Sequence, residues 1–184
     1  MLNHKGTVTI ETDRLILRRF AMEDAESMYR NWASDDEVTK HLTWPTHSSV
    51  EISKMVLTDW TCHYPEPDFY NWAIVLKEYG PEPIGNISVV GINKEVDAAT
   101  MGYCMSRAHW GKGVMTEALT AVIEFFFDEV GFNRIYADHA VDNPASGRVM
   151  EKSGMLHEGI LRQAGRSNQG IIDVSRWAIL KSDR

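Results

Sequence analysis

The feature that most constrains the fold is a long amphipathic helix pattern in the second half of this 184-residue chain. Apolar residues recur there at helical spacing, and Gly131 follows as a typical helix end. The apolar positions are Met115, Ala118, Leu119, Val122, Ile123, Phe126, Phe127 and Val130. Because a wide apolar face has to pack against another layer of secondary structure, this helix predicts a layered domain.

Shorter segments on both sides of this helix predict strands and further helices. Strands are predicted over residues 15–20, 70–76, 84–92, 100–105, 134–141, 156–161 and 174–180, and helices over 21–32, 52–60 and 143–154. Ser48 and Glu51 have the spacing of a capping box that would open the second helix. The order is β-α-α-β-β-β-α-β-α-β-β, so we expect one domain over residues 1–184, with a mixed sheet and helices on both faces.

The composition argues against several classes of protein. The 19 Lys and Arg residues against 26 Asp and Glu residues give a net charge of −7, which argues against a general binder of nucleic acid or anionic membranes. Cys62 and Cys104 are isolated and the histidines lack zinc spacing, so no metal site is expected. The sequence shows neither a membrane-helix pattern nor a signal-peptide core, so the expected location is cytoplasmic.

The stretch from Met105 to Thr116 joins a predicted strand to the long helix. Gly111 and Gly113 leave backbone amides uncovered, and the start of the helix adds free N–H groups and the positive end of the helix dipole. Such a junction suits phosphate groups, and Lys112 adds a positive charge. The dinucleotide-binding fingerprint would need a third glycine at Thr116, and the P-loop consensus is absent.

A second polar cluster follows the strand over residues 134–141. Asn143 stands at the strand end and Ser146 in the first turn of the next helix, where both could contact a ligand. Asn143 also suits the N-cap of that helix. Arg148 and Lys152 share one helix face, an arrangement that in isolation is more often a solvated surface.

The two clusters belong to a longer series of markers with characteristic order and spacing. The markers are Thr12-Asp13-Arg14-Leu15-Ile16-Leu17-Arg18, Ile84-Gly85-Asn86-Ile87, Gly102-Tyr103, Trp110-Gly111-Lys112-Gly113, Thr116-Glu117-Ala118-Leu119, Asn143-x-x-Ser146, Glu151-Lys152-x-Gly154 and Glu158-Gly159-x-Leu161-Arg162. Over nearly the whole chain this series resembles the GCN5-related N-acetyltransferase (GNAT) superfamily. Within it, the chain resembles the ribosomal-protein N-terminal acetyltransferases.

The resemblance implies a fold and a co-substrate. The fold would be a single-domain α/β (α+β) GNAT-like fold, with a mainly antiparallel sheet whose middle strands splay apart. The co-substrate would be acetyl-CoA, without a metal. The implied cofactor-binding residues are Met105, Arg107, Trp110, Gly111, Lys112, Gly113, Val114, Met115, Thr116, Asn143, Ser146 and Arg148. In this arrangement the Met105 backbone pairs with the pantetheine arm, the amides from Gly111 to Thr116 hold the pyrophosphate, and Ser146 lies near the sulfur.

The sequence departs from the family pattern at three positions. Trp110 stands where Gln or Arg is usual, although Trp is familiar in this branch. Met115 replaces a small residue, so the loop is expected to pack differently there. Thr100 stands where relatives often have the Glu that provides a base.

Acetyl transfer to an amine needs a base, a donor to the oxyanion and a partner for the leaving thiolate. The Met105 N–H is the candidate donor, and the candidate catalytic residues are Ser146, Asn143 and His139. Asp138 and His139 are adjacent on a strand, so only one of them can face the site. His139 has the better intrinsic pKa for a base at neutral pH, and a water relay remains an equal alternative.

The acceptor is expected at residues 41–45, together with Tyr70 and the segment around Arg162. Trp44 and Tyr70 would either frame an amine or belong to the core. A protein N-terminus is the first expectation for the acceptor, and a small amine such as a polyamine, aminoglycoside or amino acid is the second. A non-catalytic acyl-CoA sensor is the competing class. The family also suggests a possible homodimer, which a monomeric mass by light scattering would refute.

Overall fold

The computed structural model describes residues 2–184 and contains one eight-stranded sheet. The strands are β1 Ile10–Glu11, β2 Leu15–Arg18, β3 Asn71–Leu76, β4 Pro83–Asn93, β5 Ala98–Met105, β6 Arg134–Ala140, β7 Leu156–Ser167 and β8 Gly170–Leu180. The helices are α1 Ala25–Met28, α2 Asp36–Thr39, α3 Val50–His63, α4 Val114–Phe125 and α5 Pro144–Lys152. A 3₁₀ turn Met22–Asp24 precedes α1, and π-helical turns Tyr29–Ala33 and Phe126–Val130 extend α1 and α4.

The sheet has the spatial order β1-β2-β3-β4-β5-β6-β8-β7. Every neighbouring pair is antiparallel except β5 with β6, which is parallel because α4 forms the crossover between them. The prediction of one mixed, mainly antiparallel sheet is therefore confirmed. The sequence did not indicate β1 or α2, which are only two and four residues long.

Helices cover the two faces of the sheet, as predicted. On one face, α4 packs its apolar side against the central strands, with Leu119, Val122 and Phe126 fully buried. On the other face, α1 and α3 cover a smaller cluster that includes Trp32 and Leu57. None of the helices in the described part of the chain has the length and apolarity needed to cross a bilayer.

Two local predictions are wrong. The capping box predicted from Ser48 does not form, because α3 begins at Val50 with Ser49 at the N-cap position, and no side chain caps the first turn. The strand predicted over 156–161 continues to Ser167, because β8 starts earlier than expected and the two strands form a long hairpin. This hairpin matters below, since its tip reaches the region expected to bind the acceptor.

Candidate active site

The two central strands separate part-way along their length. Their parallel pairing joins Ala98–Met101 of β5 to Arg134–Ala137 of β6 and stops there. Beyond it, within residues 2–184, the segment 102–105 pairs only with β4 and the segment 138–140 pairs only with β8. A slot therefore opens between these two segments, where backbone groups lack a neighbouring strand.

The backbone of Met105 borders this slot. The Ser106 N–H donates to the Ile84 carbonyl of β4 at 2.8 Å. Because successive N–H groups along a strand point in opposite directions, the Met105 N–H faces the slot. The Met105 carbonyl accepts a hydrogen bond from Trp110 Nε1 at 2.8 Å. Trp110 thus closes one end of the slot and leaves the Met105 N–H available to a ligand.

The loop after β5 presents a run of free backbone amides at the start of α4. Within the described chain, the N–H groups from Gly111 to Thr116 donate to no acceptor, and the first bond of the helix runs from Glu117 N–H to the Gly113 carbonyl at 3.0 Å. Gly111 and Gly113 have φ angles of 73° and 75°, a left-handed conformation that favours glycine. Unpaired amides at the positive end of a helix dipole suit a phosphate group.

Arg14 fixes this loop from the start of β2. Its guanidinium donates to the Lys112 carbonyl at 3.1 Å and to Glu117 Oε2 at 2.6 Å. The Glu117 carboxylate also accepts the Thr12 hydroxyl at 2.5 Å. Burial raises the pKa of Glu117, but the hydrogen bonds from Thr12 and Arg14 outweigh it, so this pKa lies below its usual value. The sequence marked Thr12 and Arg14 as family features without indicating this role.

Replacing Arg14 by Gln is expected to weaken CoA binding about tenfold, the equivalent of ~1.4 kcal/mol. The loop keeps its amides but loses the donor to the Lys112 carbonyl, and partial solvent screening keeps the effect modest. Calorimetric titration with CoA measures this change. Arg30→Gln, which breaks an exposed ion pair with Glu82, is the matched control and should leave the affinity unchanged.

Tyr103 and Ser146 connect the two sides of the slot. The Tyr103 hydroxyl lies 2.9 Å from Ser146 Oγ and 3.2 Å from the Ser146 carbonyl oxygen. Tyr103 projects from β5 and Ser146 from the first turn of α5. Burial raises the pKa of Tyr103 and the hydrogen bond with Ser146 lowers it less, so the phenol is protonated at neutral pH. The sequence did not indicate Tyr103 as a site residue, although Gly102-Tyr103 was one of the family markers.

Asn143 occupies the N-cap position of α5, but its side chain makes no capping hydrogen bond. The predicted capping role is therefore wrong, while the predicted position is correct. The half-buried amide has no hydrogen-bond partner in the described chain, so it is available to a ligand at the slot.

Comparison with known proteins identifies the family. The family model described as an acetyltransferase (GNAT) domain matches residues 14–156. The chain belongs to the GNAT acetyltransferase family. It is 32% identical over 172 residues to YoaA of Bacillus subtilis (strain 168), an uncharacterized N-acetyltransferase, covering 94% of this chain and 96% of YoaA. It is 30% identical to the ribosomal-protein-serine acetyltransferase of Escherichia coli (strain K12), covering 74% of this chain and 75% of that relative.

Solved structures support the GNAT fold. A GNAT-family acetyltransferase from Bacillus anthracis superposes with a TM-score of 0.83 at 24% identity, covering 95% of this chain and 99% of that one. The ribosomal L7/L12 alpha-N-protein acetyltransferase RimL, in complex with coenzyme A, gives 0.83 at 22% identity, covering 94% of this chain and 98% of that one. At these identities the likeness shows the fold alone.

Both candidate bases in this GNAT domain have partners already. The Asp138 carboxylate accepts two hydrogen bonds from Arg176, at 2.8 and 2.7 Å, on the sheet face opposite α5. His139 lies beneath α5, with Nδ1 2.8 Å from the Ala140 carbonyl and Nε2 3.2 Å from Trp177 Nε1. Since the indole only donates, His139 Nε2 is the acceptor. Burial lowers the pKa of His139. This geometry favours a supporting role for His139 over that of a base.

The remaining residues predicted for the cofactor differ in how they could contribute. Val114 and Met115 point into the core, so only their N–H groups face the loop, and Met115 does not obstruct it. The Arg107 guanidinium pairs with Asp35 at 2.6 Å. Lys112 and Arg148 are exposed and have no ion-pair partner within residues 2–184, so both can approach a bound anion.

The active region of this GNAT chain contains no activated nucleophile among the described residues. Cys104 is buried next to the slot, and its thiol donates to Asn86 Oδ1 at 2.9 Å. Burial raises the pKa of Cys104 to about 12, and the hydrogen bond to Asn86 reduces this effect only slightly. A neutral, enclosed thiol is a poor nucleophile.

The predicted acceptor region is only partly assembled. The loop 40–49 between α2 and α3 contacts the tip of the β7–β8 hairpin, where Asn168 Nδ2 donates to the carbonyls of Thr39 at 2.9 Å and Trp44 at 2.7 Å. Tyr70 does not lie in this acceptor region. Its ring is 1% exposed and packs edge-on against Phe126 at 5.0 Å, so it belongs to the core.

Replacing Asn168 by Ala is expected to raise KM for the acceptor about fivefold. The end of α2 and the loop 40–49 each lose one side-chain hydrogen bond, worth ~1 kcal/mol in sum. The KM for acetyl-CoA should not change. Steady-state kinetics with each substrate varied in turn measures this. Gln169→Ala, the exposed neighbour at the same hairpin tip, is the control. Equal effects of the two substitutions would contradict the assignment.

Proposed function

We propose that this protein transfers the acetyl group of acetyl-CoA directly to a primary amine, and that the acceptor is a protein N-terminal amine. The observation that carries the proposal is the combination of the Met105 N–H, which faces the slot, with the run of free amides from Gly111 to Thr116 at the start of α4. This set fits a long ligand with an amide-bearing arm and a pyrophosphate. A known relative of the same fold, the microcin C7 self-immunity acetyltransferase MccE, was solved in complex with acetyl-CoA and AMP.

The residues of the slot supply most of the chemistry that the reaction needs. The Met105 N–H donates to the carbonyl oxygen of the thioester as that oxygen gains negative charge. Asn143 orients the pantetheine arm through its free side-chain amide. In the proposed step Ser146 donates a hydrogen bond to the leaving sulfur and stabilises the thiolate. The Tyr103 hydroxyl, 2.9 Å from Ser146 Oγ, would then donate its proton to that oxygen instead of to the Ser146 carbonyl.

Two observations support a protein N-terminus as acceptor. The loop 40–49 meets the tip of the β7–β8 hairpin through an exposed hydrogen bond from Asn168 to the Trp44 carbonyl, and we propose that an extended peptide end binds along this contact. The net charge of −7 favours a cationic acceptor in general. The ribosomal-protein acetyltransferases among the relatives are consistent with the same class.

A panel of acceptors tests the proposed class. The protein is incubated with acetyl-CoA and with short peptides, N-terminally blocked peptides containing Lys, polyamines, aminoglycosides and amino acids, and the products are located by mass spectrometry. We expect acetylation of free peptide N-termini. Acetylation of small amines alone would show that the acceptor is a small amine and not a protein N-terminus. CoA binding without turnover on any acceptor would indicate a sensor module.

A further inference from the structure

His41 lies in the loop 40–49, and its environment differs from that of the other histidines near the slot. Its Nδ1 is buried, makes no hydrogen bond, and lies 3.5 Å from Asp142 Oδ1. Its Nε2 has no partner either, but it keeps contact with solvent. Among residues 2–184, Asp142 provides the only carboxylate within 4.0 Å of the ring nitrogens, and the adjacent Lys40 is paired with Glu37.

We propose that His41 is the catalytic base that removes a proton from the acceptor ammonium, and that Asp142 orients its ring. This assignment rests on the proposed acetyl transfer. A carboxylate beside Nδ1 favours the tautomer with a proton on Nδ1, which leaves the Nε2 lone pair free to accept one. In the catalytic triads of hydrolases, an aspartate orients the catalytic histidine in the same way.

The position of the pair suits this role. Asp142 immediately precedes Asn143, and the Asn143 carbonyl accepts the Ser146 N–H at 3.2 Å, so the His41–Asp142 pair stands at the same end of the slot as Ser146. The loop carrying His41 is held there by the bond from Asn168 N–H to the Leu42 carbonyl at 3.0 Å.

The two candidate bases from the sequence, Asp138 and His139, already use their basic atoms in hydrogen bonds. Asp138 is held by Arg176 and faces the opposite side of the sheet, and His139 uses its Nε2 lone pair for Trp177. His109, in the loop after β5, also has an unpaired Nδ1, but no carboxylate of the described chain lies within 4.0 Å of its ring nitrogens. Near the slot, His41 is the histidine that combines an unpaired ring with an adjacent carboxylate.

The proton balance closes with these residues. His41 Nε2 takes one proton from the ammonium and later passes it to bulk water. The neutral amine attacks the thioester carbonyl carbon, a C–N bond forms and the C–S bond breaks with its electron pair on sulfur. The second proton leaves the former amine and neutralises the thiolate, with Ser146 donating a hydrogen bond to the sulfur during the transfer. The products are the amide, CoA thiol and one proton.

The test compares His41→Gln, His41→Ala and Asp142→Asn with the control His63→Gln, which removes an exposed histidine that also has carboxylate partners. We expect His41→Gln to lower kcat about 100-fold at neutral pH, with KM for acetyl-CoA unchanged and the acidic limb of the pH–rate profile abolished. Asp142→Asn should lower kcat about tenfold. Added imidazole should restore activity to His41→Ala, which a merely structural role would not allow.

The possible results distinguish a failure of the His41 assignment from a failure of the proposed transferase activity. An unchanged acidic limb in His41→Gln, or no rescue of folded His41→Ala by imidazole, overturns the assignment while wild-type turnover still supports the transferase. If the wild-type chain turns over no acceptor, the proposed function fails, and the role of His41 fails with it. His139→Gln should retain the acidic limb, and its loss there would move the base to His139.

Discussion

Replacing Gly111 by Asp is expected to weaken CoA binding at least ~100-fold, the equivalent of ~2.7 kcal/mol. The substitution places a negative charge among the free amides that would hold the pyrophosphate. It also puts a side chain on a residue whose φ is 73°, a conformation that costs L-residues ~1–2 kcal/mol. Calorimetric titration with CoA at fixed ionic strength measures the loss.

Gly131→Asp is the control that separates the effect of the negative charge at the amides from the effect of backbone strain. Gly131 lies at the opposite end of the same long helix, with φ of 90°, and an added Cβ would meet nothing within 4 Å at either glycine. Both variants should therefore lose similar stability in thermal unfolding, while only Gly111→Asp loses affinity. A matching loss of affinity in Gly131→Asp would show that strain, and not the amide cradle, controls binding.

The second large effect is expected at Ser146. Ser146→Ala should lower kcat about 100-fold with little change in KM for acetyl-CoA, because in the proposed mechanism the hydroxyl stabilises the thiolate that forms in the transition state more than the bound thioester. Tyr103→Phe should lower kcat about tenfold, since the Ser146 hydroxyl remains but loses its polarising donor.

Two substitutions serve as controls for this pair. Ser153→Ala removes a hydroxyl just after α5 that bonds the backbone carbonyls of Val149 in α5 and Thr116 in α4. Tyr136→Phe changes a tyrosine on the opposite face of the sheet. Neither should change kcat by more than about twofold. A larger effect of Tyr103→Phe than of Ser146→Ala would make Tyr103 the direct partner of the thiolate.

The sequence predicted the local features of the site well because their signals lie within single segments. The helical spacing of α4 and the glycines at its start are determined by neighbouring residues, so the free amides could be anticipated. The alternation along β6 also showed that Asp138 and His139 face opposite sides. The pairing of each with Arg176 and Trp177 depends on β8, which lies 38 residues away along the chain.

Contacts between distant segments were the part that the sequence did not reveal. Arg14 reaches Glu117 across 103 residues and Tyr103 reaches Ser146 across 43, and neither pair has a local pattern. Gly147 is a similar case. A Cβ there would lie 2.7 Å from His139 Nε2, so the close approach of α5 to β6 requires glycine. The sequence left Tyr70 as either an acceptor contact or a core residue, because an aromatic residue at a strand start suits both, and the structure places it in the core.

The most direct test of the account is the release of free thiol from acetyl-CoA by the wild-type protein, followed with and without a peptide that has a free N-terminus. We expect thiol release that depends on the peptide, with one acetyl group gained per thiol released. At subsaturating acetyl-CoA this release should fall strongly in Gly111→Asp but not in Gly131→Asp. Thiol release that is absent, or that is equal with an N-terminally blocked peptide, would contradict it.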